Sequence, residues 1–257
     1  MSEPPEIAVI LPVRDEEAAL GPVLTELRPH AARYGAVVAV GLNDCRDRSR
    51  AVAEAQGALV GETDERGYGH GCLAGIAAVQ AAGLRPRAYV FMAADGAHDP
   101  AELPRLLDAW RAGAGLVLGQ RTTVPGNWPV LGGVRALSNF ALGGWASLLS
   151  GQWYSDLGPF RLIERSLFEA MALTETTWGW TIEPQILAPR TEARIAQVRV
   201  TERRRIAGEQ KVTGVSLRHS LAIGVAIARA GLRCRFRDAT VTRLAPSPSA
   251  YSKSPSR

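Results

Sequence analysis

The stretch Asp95-Gly-Ala-His-Asp-Pro100 follows an apolar run over residues 88–92 and sets one carboxylate where a strand would end. In open α/β sheets the crevice beyond the carboxyl ends of the strands collects ligand-binding side chains, which makes Asp95 a candidate for phosphate, sugar or cation chemistry. Magnesium and manganese are usually held by one or two protein carboxylates with substrate phosphates completing the shell, so this spacing permits a cation without requiring one. Asp99, just before Pro100, reads as a helix cap. His98 and His70 read as polar loop residues.

Two further segments close apolar runs in the same way. Pro12-Val-Arg-Asp-Glu-Glu17 ends the first; Asp15 and Glu17 suit the positive end of a following helix, whereas Glu16 is expected at the sheet edge. Leu42-Asn-Asp-Cys-Arg-Asp-Arg-Ser49 ends the second and puts polar groups beside it. Gly67-Tyr-Gly-His-Gly71 then opens a helix. Such glycines let a backbone approach a phosphate or sugar, and they equally serve a tight turn; the spacing is not the dinucleotide fingerprint.

The elements that must position these residues follow from hydrophobic period. Strands are expected at residues 7–11, 36–42, 58–60, 88–92 and 115–118, with helices at 16–28, 46–56, 71–82 and 101–112 between them. Strands joined by helical crossovers imply a doubly wound, mostly parallel sheet with helices on both faces. After Arg121 come a Pro/Gly/Thr loop, an amphipathic helix over 134–149, a strand at 160–163, helices at 166–172 and 180–188, a strand at 195–200 and a helix at 215–229. The apolar side of the 134–149 helix, with Leu137, Phe140, Ala141, Trp145 and Leu148, is expected to pack into the core rather than to face a membrane.

Composition narrows the classes. A content of 46% hydrophobic and 21% charged residues in 257 excludes a disordered chain, although the Ser/Pro-rich stretch 247–257 reads as a disordered tail. The net charge of +5 clusters late, at Arg203, Arg204, Arg205 and Lys211, which suits an anionic substrate or a membrane surface. No zinc knuckle or nucleic-acid-binding consensus accompanies it, which argues against nucleic acid. Three cysteines without ligand spacing suggest a reduced, cytoplasmic protein, peripheral at most to the inner face of the membrane, since no stretch makes a convincing apolar span. A homodimer is compatible with all of this.

Taken in order, the segments resemble family 2 glycosyltransferases of the GT-A fold, in particular bacterial relatives of dolichyl-phosphate mannosyl- and polyprenyl-phosphate glucosyltransferases. The similarity spans about residues 6–215 and rests on residues 10–17, Asn43 to Ser49, Arg66-Gly-Tyr-Gly69, Asp95 to Pro100, Gly119-Gln-Arg121, Asp156-Leu-Gly-Pro-Phe-Arg161, Trp178-Gly-Trp-Thr-Ile-Glu183 and Arg203 through Lys211. It implies a nucleotide-sugar half over 1–121, an acceptor half over 122–240 and the tail over 241–257. Several polar positions of the family pattern are changed here. The carboxylate expected to meet the nucleobase falls on Leu42, the first Asp and the Gln of the aspartate motif fall on Ala93 and Ala97, and the Ser before Lys211 falls on Gln210.

The activity implied is inverting transfer of a hexose from a nucleoside diphosphate sugar to a phosphate or hydroxyl acceptor, with weak or no dependence on magnesium or manganese. On this resemblance Pro12, Arg14, Glu16, Asn43, Asp44, Gly69, Ala94, Asp95, Arg121, Arg203, Arg205 and Lys211 are expected at the donor. Arg161, Trp178, Trp180 and Glu183 are expected at the acceptor, polyprenyl phosphate or a small hydroxyl or phosphate compound. Asp156 and Asp95 are the expected catalytic residues, Asp156 as base if the acceptor is a hydroxyl, and Asp95 is the surviving metal ligand. The competing reading takes the losses at Leu42, Ala93 and Ala97 as those of a binding or scaffold protein on the same fold.

Overall fold

The computed structural model describes residues 5–207 and 217–237. Seven strands, β1 (Ile7–Val13), β2 (Val37–Asn43), β3 (Leu59–Thr63), β4 (Ala88–Phe91), β5 (Leu116–Gln120), β6 (Arg161–Glu164) and β7 (Ile195–Arg199), form one sheet in the order β3-β2-β1-β4-β6-β5-β7. Helices α1 (Glu17–Arg33), α2 (Ser49–Ala55), α3 (Tyr68–Ala81) and α4 (Leu103–Arg111) cross over within the first half. The second half adds α5 (Trp128–Leu131), α6 (Gly133–Ser150), α7 (Arg165–Met171), α8 (Glu183–Leu187) and α9 (Leu217–Phe236).

Both faces of the sheet are covered, so its central strands are continuous apolar runs. Alternate residues of β1 divide between two cores: Ile7, Val9 and Leu11 pack with Leu20, Leu24 and Leu107, whereas Ala8 and Ile10 pack with Ile76, Trp180 and Ile186. The sheet order reverses between β1, which is followed outward by β2 and β3, and β4 on its other side. The switch point therefore lies where β1 and β4 end, at Arg14 and Asp95.

All strands are parallel except β6, which runs antiparallel between β4 and β5. The chain leaves β5 at the carboxyl edge, wanders there over residues 121–160 and re-enters from the same edge at Arg161. Strands β6 and β7 thus join the sheet of the first half, and no break separates the two halves at residue 121. Lys211 and the tail 241–257 lie outside the described residues.

Four expectations need correction. Helix α1 runs past Pro29 to Arg33, because both its prolines are on the exposed side while Leu27 and Ala31 continue the buried stripe. Helix α9 runs on to Phe236, with Ala230 and Cys234 buried. The helix expected over 180–188 is three short pieces, a 3-10 turn Trp178–Thr181, α8, and a 3-10 turn Ala188–Thr191, interrupted near Pro184 and Pro189.

The fourth concerns α6, whose apolar side faces outward: Leu137 is 64% exposed, Phe140 45% and Leu148 75%. Its packed side consists of Ala136, Gly143 and Ala146. Gly143 explains the choice, because a Cβ there would lie 2.7 Å from the Asp156 backbone nitrogen. Small residues bring α6 flush against residues 154–156; Leu142, Trp145 and Leu149 pack partly on the core, as expected for Trp145, while Leu137, Phe140 and Leu148 stay in solvent. Among the described residues, no helix is long and apolar enough to cross a membrane.

Candidate functional site

The carboxyl ends of β1, β2 and β4 carry Glu16, Asp44 and Asp95. Glu16 precedes α1 and its backbone N–H donates to Ser49 Oγ at 3.0 Å. Asp47 supports the same corner by accepting from Glu17 N at 2.9 Å and Ser49 N at 2.9 Å, so the loop after β2 buttresses the start of α1. Asp95 sits in a turn closed by its own Oδ1, which accepts from Ala97 N at 2.9 Å.

Residues 202–206 form a strap over that turn. Arg203 N donates to Ala97 O at 2.8 Å and Ile206 N to Asp95 O at 2.9 Å, and Glu202 makes an antiparallel bridge with His98. Gly96, at φ +82°, makes the closeness feasible, because a Cβ there would collide with the Ile206 side chain. The strap carries Arg205 onto the sheet edge: Nη1 donates to Asp95 Oδ2 at 2.9 Å and Nη2 to Glu16 Oε2 at 2.6 Å. Burial alone would lower the Arg205 pKa; Glu16 and Asp95 outweigh it and hold the guanidinium above its ordinary value. Its Nε is buried without a hydrogen-bond partner among the described residues.

Other expected donor residues are spent on the scaffold. Arg203 forks onto Glu26 of α1 at 2.7 and 2.8 Å and also reaches His98 O at 3.0 Å, so it clamps the strap instead of facing the crevice. Asn43 is buried, donates to Val13 O at 2.8 Å and accepts from Gly67 N at 3.3 Å, tying β1 to the start of α3. Gly69 is pressed on the backbone of Thr176, where a Cβ would come within 2.8 Å, and His70 N donates to Thr176 O. Ala94 is buried and offers only its backbone. Pro12 pairs in register with Gly41 inside the sheet. Leu42 is fully buried, and the first acidic group beyond it is Asp44, at φ +48° among Arg66 at 2.9 Å, Arg14 at 3.7 Å and Arg46 at 3.8 Å.

Beneath the strap lies a second charged group. Arg121 is 7% exposed and Asp156 3%. Arg121 gives three N–H bonds to Asp156, from its backbone N and Nε to Oδ2 and from Nη2 to Oδ1, each 2.9 Å. Its Nη1 also lies 3.5 Å from Glu202. Burial would lower the Arg121 pKa, but these carboxylates reverse the sign and hold it above the ordinary value. Glu202, buried and 3.8 Å from Arg135, has its pKa raised by desolvation against the pull of both arginines. His98 lies in the loop after β4, as expected, but is buried in it: it is 1% exposed, stacks on Phe160 at 5.0 Å and accepts from Ala93 N with Nδ1. Burial first and Arg121 second lower its pKa to about 3, so it is neutral.

The expected acceptor residues are equally committed. Arg161 is 1% exposed and donates to the carbonyls of Gly158, Leu157 and Thr181, with its pKa lowered by burial. Glu183 is fully buried and accepts from Thr174 N, Thr174 Oγ1, Glu175 N and Arg237 Nη1. Trp180 is fully buried, edge-on to Phe91 at 5.9 Å. Trp178 alone of this set keeps a half-buried surface. Sequence reasoning missed Glu202 and Glu26, the partners of Arg121 and Arg203, and quoted Arg66 in a motif without pairing it to Asp44; the acid directly before the arginine run was the available signal for Glu202.

The donor set around Asp95 does not fit a divalent cation. Ala93 and Ala97 supply no side-chain ligand, and both Asp95 oxygens already accept N–H bonds. Among the described residues, the one group of three His, Cys, Asp or Glu side chains close enough to share a cation is Asp15, Cys45 and Asp47, which excludes Asp95.

Comparison with known proteins gives a consistent picture. The sequence pattern of Glycosyl transferase family 2 matches residues 8–171. A dolichyl-phosphate hexose transferase of Haloferax volcanii is 30% identical over 235 residues, which cover 90% of this chain and 96% of that one. A polyprenol monophosphomannose synthase of Mycolicibacterium smegmatis is 32% identical over 185 residues, covering 68% and 65%. The crystal structure of glucosyl-3-phosphoglycerate synthase from Mycobacterium tuberculosis, in complex with Mn2+, UDP-glucose and phosphoglyceric acid, superposes with a TM-score of 0.63 at 21% identity, covering 90% of this chain and 80% of that one. The fold is the GT-A fold.

Proposed function

The chain belongs to Glycosyl transferase family 2, and from that premise we propose that it transfers a hexose from a nucleoside diphosphate sugar to a lipid phosphate of the polyprenyl type. The donor lies across the ends of β1, β2 and β4, with Asp44 and its arginines toward the nucleoside and Arg205 toward the diphosphate. Charge developing on the departing diphosphate is met by this fixed guanidinium, in a site where a preorganised donor needs no reorganisation. An acceptor phosphate oxygen attacks the anomeric carbon; the new C–O bond forms as the bond to the diphosphate breaks, with inversion. That oxygen is already anionic, so no proton has to be removed.

The observation that carries the acceptor class is the occupancy of Asp156. A general base must reach the proton it takes, yet the Asp156 oxygens already accept three N–H bonds from Arg121 and are buried. A nucleophile that needs no base fits such a site; a hydroxyl does not. The outward side of α6 supports a lipid: Leu137, Phe140 and Leu148 are exposed, Trp153 is edge-on to Phe140 at 6.5 Å, and α6 abuts residues 154–156. Peripheral contact with the inner face of the membrane follows, with no spanning helix needed.

The test is transfer from UDP-glucose and GDP-mannose to a short polyprenyl phosphate and to the corresponding polyprenol in detergent. Hexose is expected on the phosphate alone. Comparable transfer to the polyprenol would overturn the acceptor class, and absence of both transfer and donor hydrolysis would favour the binding-protein reading.

A further inference from the structure

The structure of glucosyl-3-phosphoglycerate synthase is a complex with Mn2+ as well as UDP-glucose. Here the donor set around Asp95 is wrong for one, and a different cation is already delivered. We infer that the guanidinium of Arg205 stands in place of a divalent cation, binding the donor diphosphate from the strap. This rests on the nucleotide-sugar reading above and deepens it.

Three observations converge. First, position: Arg205 bridges Asp95 at 2.9 Å and Glu16 at 2.6 Å, joining the ends of β4 and β1 across the switch point. Second, fixation: backbone bonds on either side of Arg205, Arg203 N to Ala97 O and Ile206 N to Asp95 O, hold the strap on the aspartate turn, and Arg203 pins it to Glu26. A cation held by the backbone is preorganised in the way a coordinated metal is. Third, an unspent donor: among the described residues the buried Arg205 Nε has no partner, and a buried unpaired N–H calls for an acceptor. Phosphate oxygens are strong acceptors for a charged guanidinium N–H, and the group stays charged at any working pH.

The test is calorimetric titration of the full chain with UDP and GDP, each in manganese chloride and in EDTA. The wild type is expected to bind one of them with affinities that agree within about twofold between the two conditions. Arg205→Ala is expected to bind it about tenfold or more weakly in both, the loss of one charged phosphate contact. Arg205→Lys, which keeps the charge without the fork, is expected between the two and guards against a folding artefact. Circular dichroism melts report whether each variant is folded. Wild-type binding that disappears in EDTA and returns with manganese, or folded Arg205→Ala binding as tightly as wild type, would overturn the inference while leaving the nucleotide-sugar reading intact. Failure of the wild type to bind either nucleotide in both conditions would overturn both.

Discussion

The two charged groups of this molecule lie on either side of residues 93–98 and are built differently. At the donor edge, Arg205, Glu16 and Asp95 retain side-chain exposures of 19%, 11% and 21%, and the arginine keeps a donor unspent. Beneath it, Arg121 and Asp156 are at 8% and 1%, and Asp156 takes three bonds from one arginine. Glu183, Arg161 and Trp180 are likewise closed in. The motifs most complete in sequence, around residues 156–161 and 178–183, thus hold mostly buried and paired side chains, whereas the eroded motif at Asp95 keeps accessible ones. Completeness of a motif reports that its residues are needed, not whether they are needed for chemistry or for structure.

The sharpest way to break this contrast is to remove a buried partner. Asp156→Ala leaves Arg121 buried and short of its main counter-charge, and should cost roughly 3–5 kcal/mol in a denaturant titration. A folded variant of unchanged stability would return Asp156 to the list of reacting groups. Glu183→Gln keeps the volume but loses the charge that holds Arg237 and the backbone of Thr174 and Glu175. The same titration should show a loss of about 2 kcal/mol.

His98 gives the contrast a pH dependence. Its folded pKa of about 3 lies below the ordinary value of 6.5, so protonation favours the unfolded chain. The stability it contributes is fully present above about pH 6.5 and is lost as pH falls, by up to about 1.4 kcal/mol per unit, or about 2 kcal/mol by pH 5. Glu202 opposes it: a carboxyl with raised pKa loses stability as pH rises through its titration and regains it as pH falls. His98→Asn, which keeps an acceptor for Ala93 N, should flatten the acid limb of a stability-versus-pH curve; an unchanged limb would show that His98 does not set it.

Surface changes should do least to stability. Arg205→Ala breaks a partly exposed pair and should cost at most about 1 kcal/mol, even where nucleotide binding collapses. Leu137→Ser with Leu148→Ser touches only exposed side chains of α6 and should leave stability within about 0.5 kcal/mol. Sedimentation with anionic lipid vesicles should nonetheless show reduced binding by that variant. Equal vesicle binding would remove the ridge from the membrane account.

Most of the fold was legible because strand and helix periods are local properties. Alternation of apolar runs and amphipathic segments gave β1 to β5 and their crossovers, and the motif order gave the GT-A fold. What stayed hidden depended on packing across the chain. The antiparallel entry of β6 follows from where residues 121–160 travel, which no local period encodes. The outward side of α6 was invisible because an apolar stripe looks the same whether it meets core or lipid; Gly143 against Asp156 decides it. Asp156 and Glu183 were legible as important residues but not as occupied ones, since Arg121 and Arg237 are 35 and 54 positions away in sequence. Arg205 was expected at the donor, yet its seat between Glu16 and Asp95 became visible only once the strap was folded over Gly96.

One measurement weighs the two regions directly: kcat/KM for hexose transfer to polyprenyl phosphate by Asp156→Asn and by Asp95→Asn, at a temperature where both are folded. The account predicts that Asp156→Asn stays within about tenfold of wild type, while Asp95→Asn, which loosens the seat of Arg205, falls about a hundredfold, the scale of a lost electrostatic contact to the transition state. The reverse order, with Asp156→Asn down by the roughly 10²- to 10⁴-fold that a general base supplies and Asp95→Asn little changed, would contradict it.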